Sequence, residues 1–297
     1  MRAFSFALLS AVVCSGVGPA DAAVVISDDV DEGRPAFRIT TDVATYFYSK
    51  AGASLTSLVD VEGIDWINFH PEGTPDLVDG SFGWFRGVPN MTRQGFGHAA
   101  GEGATSVTFD PLDQPLDKVT IVSTEGGWES RWEFFPTFAR MTVTSAAADY
   151  WLLYEGTPGG ELDPADLCWA AGDQPAPCAR KWRGDIQPKP QVAPGLEWMV
   201  LGDPALDRSL IVLHNDDSIV DQHRLMDGMT VFGFGRADPG RLYKALHRIG
   251  LGEITNSGRI QQSIDTLLIT FAEAVQADLV EDHIRSLTLH PDFGVEP

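Results

Sequence analysis

Residues 128–160 contain the pattern that most restricts the fold of this chain. Side chains of a β-strand point alternately to opposite faces of its sheet. Along the first run, one face would be mainly aromatic and carries Trp128, Ser130, Trp132 and Phe134. The opposite face would be mainly charged and carries Glu129, Arg131, Glu133 and Phe135. This pattern predicts a strand of a layered β-protein, with its aromatic face in the core and its charged face toward something polar.

Similar strand-like runs recur along most of the chain, and glycines mark turns between them. Within residues 37–69 we expect two or three strands, with turns at Gly52 and Gly63 and a tight hairpin over residues 61–66. Further strands are expected at 105–109, 118–123, 129–135, 139–144, 150–154, 198–201, 209–214, 229–236 and 264–272. Residues 155–190 lack periodicity and read as a long loop.

Two short helices are also expected. The first would start at Asp238-Pro239, with Asp as N-cap and an apolar side made of Leu242, Ala245, Leu246 and Ile249. The second would close the chain over residues 275–287. The prediction is therefore a mainly β fold, a large antiparallel β-sandwich with one or two short helices, forming a single domain over residues 23–297.

The first 22 residues have the features of a signal peptide. Arg2 supplies a positive start, residues 4–17 are mainly apolar, and Ala20-Asp21-Ala22 matches a small-x-small cleavage motif. The apolar run is too short, and is interrupted too soon by glycine and proline, for a stable membrane span. We therefore expect a secreted or periplasmic protein.

Charge and cysteine content restrict the possible partners. The formal net charge of −21 argues against nucleic acid, whose phosphates need a basic surface. Acidity also keeps an exported protein soluble. Beyond the signal peptide the cysteines are Cys168 and Cys178, which we expect to form a disulfide in an oxidising compartment. The alternative, a thiol nucleophile, is less favoured because neither cysteine lies beside a histidine in the sequence.

The first candidate site is the glycine-rich segment 82–103. It combines aromatic, amide and basic side chains, as binding loops on a rigid sheet do: Trp84, Phe85, Arg86, Asn90, Arg93 and His98. The alternative is a long loop packed by its own aromatics, in which Arg86 pairs with a carboxylate and His98 with a loop carbonyl.

Three other groups of residues offer chemistry. Glu133 with Glu155 or Asp149 would suit glycoside hydrolysis, although a strand glutamate beside Arg131 is also typical of a cross-strand ion pair. Residues 180–183 (Arg-Lys-Trp-Arg) could hold an anionic sugar chain through Arg180, Arg183 and stacking by Trp182. No cofactor is expected, but His214, Asp216 and Asp217 could alternatively hold a divalent cation.

Several segments resemble galactose-mutarotase-like proteins. KAGASLTSLVDVEGIDWINF resembles their opening strands, and WEFFPTFARMTV and YWLLYEGTPGG fall where they place the middle of the sandwich. The chain also resembles an exported bacterial family with segments matching FRGVPN, LYEGTPGG and MTVFGFGR. The first resemblance implies a supersandwich fold that hosts mutarotases, polysaccharide lyases and sugar-binding modules. Mutarotases use two histidines and a glutamate; His98 matches one histidine, but a second histidine near residues 150–160 and a matching late glutamate are missing.

The leading hypothesis is an exported polysaccharide lyase that acts on a uronate-containing glycan. Arg86 and Asn90 would neutralise the uronate carboxylate, because planar donors fork onto carboxylates. His98 and Tyr154 would share the base and acid roles. Substrate would be held by Trp84, Arg93, Glu155, Arg180, Trp182 and Arg183. The alternatives are a non-catalytic carbohydrate-binding module, a sugar epimerase (mutarotase) and a glycoside hydrolase; every reading has a polysaccharide or oligosaccharide partner, no nucleic acid and no membrane span.

Overall fold

The protein is described by a computed structural model over residues 24–71, 86–92, 95–102, 106–108, 118–148, 150–161, 163, 165–170, 176–177, 196–206, 208–215, 222–226, 229–237 and 245–253. Sixteen strands lie in these ranges. The first eight are β1 (Val25–Asp31), β2 (Arg34–Thr40), β3 (Ala44–Ser49), β4 (Ser54–Asp60), β5 (Ser106–Thr108), β6 (Val119–Glu125), β7 (Trp128–Phe134) and β8 (Ala139–Ser145). The others are β9 (Tyr150–Gly156), β10 (Leu167–Ala170), β11 (Ala176–Pro177), β12 (Leu196–Asp203), β13 (Arg208–Asn215), β14 (Gln222–Met226), β15 (Met229–Ala237) and β16 (Ala245–Glu253).

The strands form three antiparallel sheets. One has four strands in the order β1-β2-β3-β4, and a second has nine in the order β11-β10-β12-β13-β16-β8-β7-β6-β5. A third has three strands in the order β14-β15-β9. The predicted mainly antiparallel β architecture is confirmed.

Aromatic side chains pack the four-stranded sheet against the nine-stranded sheet. The ring of Tyr46 on β3 lies 5.2 Å from that of Phe134 on β7, and the ring of Tyr48 lies 6.4 Å from that of Trp132. The Tyr48 hydroxyl also shares a 2.8 Å hydrogen bond with Ser123. All four aromatic residues are buried, so the predicted core face of residues 128–134 is confirmed.

The helix predicted from Asp238 is wrong in its second half. Residues 245–253 form β16, which pairs with β13 on one side and β8 on the other. The helical spacing of Ala245, Leu246 and Ile249 is overridden by two neighbouring strands that satisfy the backbone of this segment. The expected closing helix over residues 275–287 and the strand over 264–272 lie outside the described ranges. The helical element that the structure does describe is a single 3-10 turn, Pro158–Gly160.

The predicted long loop after residue 155 contains regular structure. β9 extends to Gly156, the 3-10 turn follows, and β10 and β11 pair with each other farther along. The predicted turn at residue 63 is confirmed, since Gly63 has φ +87° after β4 and Asp65 folds back to form a bridge with Val59. Among the described residues, no helix is long and apolar enough to span a membrane.

Candidate functional site

The segment Arg86–Met91 lies between two of the sheets and joins them. Val88 exchanges two backbone hydrogen bonds with Leu55 on β4, at N–O distances of 2.7 and 3.1 Å. Gly87 exchanges two with Glu155 on β9, at 2.8 and 3.0 Å. The first predicted site segment is thus anchored to the end of β9 that carries Tyr154 and Glu155.

Adjacent residues of β9 point to opposite faces of the strand. Tyr150, Leu152 and Tyr154 belong to the hydrophobic core, so they mark the inner face. Glu155 therefore lies on the outer face, where the segment containing Asn90 and His98 covers it. Two separate groups of polar residues result, one on each side of β9.

The outer group centres on the carboxyl of Glu155, which is only 2% exposed. The Asn90 side-chain amide donates a hydrogen bond to Glu155 Oε2. Asn90 is itself fixed, because its Oδ1 accepts from the Ala99 backbone N–H at 3.0 Å and its backbone N–H donates to Leu153 at 2.9 Å. Burial raises the pKa of Glu155 to about 8, and the Asn90 hydrogen bond limits the rise. Glu155 is therefore mostly protonated at neutral pH.

His98 lies on the same covering segment. Its backbone N–H donates to Gly52 at 3.0 Å, and its ring Nδ1 accepts from the Ala100 backbone N–H at 3.1 Å. An accepting Nδ1 places the proton of the neutral ring on Nε2. Burial, and then the charge of Arg34, lower the pKa of His98 to about 4, so the ring is neutral at physiological pH. The neutral ring carries its proton on Nε2, and the predicted role of His98 as a base stays a prediction.

Gly52 explains how the loop can approach so closely. A Cβ on this residue would lie 2.2 Å from the backbone oxygen of His98. The sequence predicted Gly52 as a turn residue, but the positive φ of this turn, +53°, belongs to Ala53. Glycine is needed at position 52 for contact with the site loop.

The inner group contains Arg86 and Tyr154. The Tyr154 hydroxyl donates to the backbone oxygen of Trp66 at 2.5 Å, and Arg86 Nη1 donates to that of Asn68 at 3.2 Å. Gly156 makes room for this arrangement, because a Cβ there would lie 2.6 Å from both the Tyr154 hydroxyl and the Trp66 oxygen. Burial raises the pKa of Tyr154 well above its ordinary value, so its hydroxyl stays protonated and serves as a donor in the core.

Two carboxylates near Tyr154 had no sequence signal as site residues. Asp65 accepts backbone hydrogen bonds from Leu58 and Ile67, both at 2.9 Å, and burial raises its pKa. Asp166 accepts from the Asp163 backbone N–H at 2.8 Å, and burial raises its pKa to about 7. Asp65 and Arg86 are oppositely charged neighbours, which partly offsets the cost of burying the guanidinium.

Arg34 is a further basic residue that the sequence did not single out. It comes from β2, yet its Nη2 donates to the backbone oxygen of Gly101 at 2.6 Å, next to the His98 turn. Its position could not be found from sequence spacing, because β2 and residues 98–102 meet only in the folded chain. Arg34 therefore adds a cation to the outer group.

Glu133 forms ion pairs with two cations, which offset the cost of burying its carboxylate. Lys118 Nζ donates to Glu133 Oε1 at 2.7 Å, and Arg140 Nε donates to Oε2 at 2.7 Å. The cross-strand ion pair expected of this strand glutamate is present, and its partner is Arg140, which lies directly opposite Glu133 in the β7–β8 register. Glu133 thus has a structural role on β7 of the nine-stranded sheet, whereas Glu155 lies on β9 of the three-stranded sheet.

Several predicted residues lie outside the described ranges: Trp84, Arg93, Asp149, Cys178, Arg180, Trp182, Arg183, Asp216 and Asp217. Phe85 and the predicted signal peptide, residues 1–22, lie there too. Cys168 is buried and disulfide-bonded, and its pairing with Cys178 stays a prediction. His214 is on β13. Among the described side chains, no three His, Cys, Asp or Glu residues are placed to hold a metal ion.

Comparison with solved structures identifies the fold. The chain is similar to HI1317, with 12% identity and a TM-score of 0.50, over 80% of this chain and 98% of that one. The chain therefore has a galactose-mutarotase-like β fold. A weaker similarity is to a "putative mutarotase (YeaD) from Salmonella typhimurium", with 10% identity and a TM-score of 0.46, over 77% of this chain and 94% of that one. Another is to a YidC insertase, with 12% identity and a TM-score of 0.40, over 85% of this chain and 47% of that one. No family model matches the chain, and no curated protein matches its sequence.

Proposed function

We propose that this protein is an exported carbohydrate-active enzyme that cleaves a uronate-containing glycan by β-elimination on the outer face of β9. The observation that carries the proposal is the buried carboxyl of Glu155, held by the Asn90 amide. Burying an ionisable group costs stability unless it is compensated, and such groups concentrate at functional sites. The mutarotase-like fold supports a sugar as the ligand but does not choose the reaction.

Glu155 has the acid–base properties that β-elimination needs. Its pKa of about 8 makes it a stronger base than an ordinary carboxylate, while enough of the ionised form exists near neutral pH. Asn90 donates to Oε2, so Oε1 is the oxygen left to exchange a proton. Glu155 thereby takes over the base and acid roles that the sequence suggested for His98 and Tyr154.

The proposed reaction uses one residue for both proton transfers. Ionised Glu155 takes the proton from C5 of the uronate, and the electron pair of the C5–H bond forms a double bond between C4 and C5. The bond between C4 and the glycosidic oxygen breaks, and that oxygen takes the proton from Glu155. The carboxylate is regenerated, so atoms and charge balance without a cofactor.

The remaining predicted residues have supporting roles in this proposal. Asn90 orients Glu155, and His98 lies in the turn whose Ala99 backbone N–H fixes Asn90. Arg86 and Tyr154 hold the far side of β9 and the backbone of residues 66–68, which keeps the strand end rigid. Trp84, Arg93, Arg180, Trp182 and Arg183 would bind the glycan chain, and the signal peptide would deliver the enzyme to the periplasm or beyond, where such polymers occur.

Hydrolysis is less well supported than elimination. Glycosidases of the usual kind need two carboxyl groups that face the same glycosidic bond. Among the described residues, Asn90 is the side chain bonded to Glu155, and Glu133 is engaged with Lys118 and Arg140. Elimination needs only one proton-transfer residue when the C5 proton and the leaving glycosidic oxygen lie on the same side of the sugar ring.

The test is to incubate the mature protein with a panel of uronate polysaccharides and follow the ultraviolet absorbance of the unsaturated product. We expect absorbance to rise with one of them and to stay flat for the Glu155→Gln variant, with circular dichroism confirming that the variant is folded. New reducing ends without absorbance would indicate a hydrolase. Anomeric exchange of a free sugar, seen by NMR, would indicate an epimerase, and binding without turnover a binding module; each result would overturn the proposal.

A further inference from the structure

Arg34 is positioned by a short turn between two strands. β1 ends at Asp31 and β2 starts at Arg34, and the intervening Glu32 and Gly33 both have positive φ, +49° and +77°. Such a two-residue turn fixes the direction of the first side chain of the next strand. Arg34 reaches from there to the Gly101 backbone oxygen.

The guanidinium of Arg34 is only partly used by these contacts. Its side chain is 18% exposed, and its ion-pair partner Glu102 lies 3.6 Å away and is 83% exposed. Such a long, solvent-exposed pair contributes little. Within the described part of the chain, the polar partners of Arg34 are the Gly101 oxygen and the Glu102 carboxylate.

A series of hydrogen bonds connects the turn that Arg34 contacts to the proposed reaction centre. Gly101 N–H donates to the His98 backbone oxygen at 2.8 Å, which closes the turn that Arg34 grips. Ala99 in that turn donates to Asn90, and Asn90 donates to Glu155. The loop that Arg34 contacts is therefore linked, through Ala99 and Asn90, to the Glu155 carboxyl on the outer side of β9.

We propose that Arg34 binds the carboxylate of an anionic sugar beside His98 and so sets the specificity of the site for uronates. The planar fork of arginine suits two parallel hydrogen bonds to a carboxylate. A partly open cation in a chain with a net charge of −21 is complementary to an anion there. The assignment rests on the proposed function and replaces Arg86, which lies on the inner side of β9, as the group that neutralises the substrate.

The competing explanation is that Arg34 only holds the loop through Gly101. The two explanations differ in what they predict for ligand charge. If Arg34 only holds the loop, its substitution should weaken the binding of charged and neutral sugars equally. If Arg34 binds the carboxylate, its substitution should weaken the binding of the charged sugar only.

The experiment measures binding of oligogalacturonate and oligoguluronate, and of the same oligosaccharides with their carboxyl groups reduced to alcohols, by calorimetry. We expect the wild type to bind the preferred charged form at least about tenfold more tightly than its reduced form, as a charge-assisted hydrogen bond allows. Arg34→Gln should lose most of this preference. Arg38→Gln, an exposed arginine on the same strand, is the matched control and should keep it.

A second measurement does not depend on any substrate. Because the Arg34 charge lowers the pKa of His98, Arg34→Gln should raise that pKa above about 4 in an NMR titration, and Arg38→Gln should leave it unchanged. An Arg34→Gln variant that still prefers the charged sugar as strongly as the wild type would overturn the inference. A wild type that neither binds nor cleaves any uronate would instead overturn the proposed function, and the inference with it.

Discussion

Glu133 and Glu155 are the same residue type in nearly equal burial, yet their surroundings differ in kind. Glu133 on β7 is 4% exposed and Glu155 on β9 is 2% exposed. Glu133 accepts hydrogen bonds from two cations, Lys118 and Arg140. Glu155 accepts one from the neutral amide of Asn90.

The two carboxyls consequently have opposite pKa shifts. Burial alone would raise the pKa of Glu133, but the Lys118 hydrogen bond and the Arg140 charge outweigh burial and lower it. For Glu155, burial prevails and raises the pKa to about 8. The comparison shows that burial does not by itself mark a catalytic carboxyl. The absence of a compensating cation among its described partners separates Glu155, which can exchange a proton near neutral pH, from Glu133, which stays ionised as a structural tie.

The largest difference is expected in turnover. Glu155→Gln should lower kcat by about 10²–10⁴-fold, the usual contribution of a general acid–base residue. Glu133→Gln should leave kcat within a few-fold of the wild type at a temperature where the variant is folded. Initial rates on the preferred glycan would measure both. Equal losses in the two variants would remove the distinction between the two glutamates.

The two substitutions should affect the free energy of unfolding in the opposite order, with Glu133→Gln costing more than Glu155→Gln. Glu133→Gln removes the negative partner of a buried ion pair, which costs about 3–5 kcal/mol, less to the extent that Lys118 reaches solvent. Glu155→Gln keeps an amide in place of a mostly protonated carboxyl and should cost about 1 kcal/mol or less at pH 6. Urea unfolding followed by tryptophan fluorescence would measure the difference. A Glu133→Gln variant as stable as the wild type would show that the network is not a structural tie.

The pH dependence of stability should also have opposite signs for the two residues. The folded-state pKa of Glu155 is raised from 4.5 to about 8, so the stability it contributes is present below pH 4.5 and is lost as pH rises toward 8. The folded-state pKa of Glu133 is lowered, so its contribution is present above pH 4.5 and is lost as pH falls through the folded value.

Unfolding free energies at pH 6 and pH 9 would check the sign for Glu155. Relative to the wild type, Glu155→Gln should gain about 2–4 kcal/mol between these values, since one pKa unit corresponds to about 1.4 kcal/mol. Glu133→Gln is the control and should follow the wild type over this range, where Glu133 stays ionised. A constant difference between wild type and Glu155→Gln would mean that Glu155 does not titrate there.

Patterns within one strand could be predicted from the sequence, and pairings between strands could not. The alternation of Trp132 and Glu133 is local, and it gave the correct core face of β7. The helix expected around Leu246 was wrong because the same apolar spacing is compatible with a strand once β13 and β8 lie on either side. Arg131 was the nearest cation to Glu133 in the sequence, but the cross-strand register supplies Arg140 instead.

Among the candidate site residues, too, those with a local sequence signal could be predicted and those that depend on contacts between distant segments could not. Asn90, His98 and Glu155 attracted attention through residue type and local context, and in the structure Asn90 bonds both Glu155 and Ala99, the neighbour of His98. Tyr154 is adjacent to Glu155 in sequence, yet strand alternation places it in the core. Arg34 carries no local signal, because its approach to Gly101 depends on how the four-stranded sheet meets the loop.

The smallest effect is expected from Asn90, which distinguishes Glu155 from Glu133 by offering an amide in place of a cation. The Asn90 hydrogen bond lowers the pKa of Glu155, so Asn90→Ala should raise that pKa further above about 8. The acidic limb of the kcat/KM profile, on which activity rises as Glu155 ionises, should then shift upward by about half a unit to one unit, with a loss of roughly 3–10-fold at pH 7. Thr92→Ala is the control, because Thr92 bonds Gly95 and Phe96 within the same loop. If both variants lose activity without a shift of the profile, Asn90 only supports the loop, and the proton affinity of Glu155 is set by burial alone.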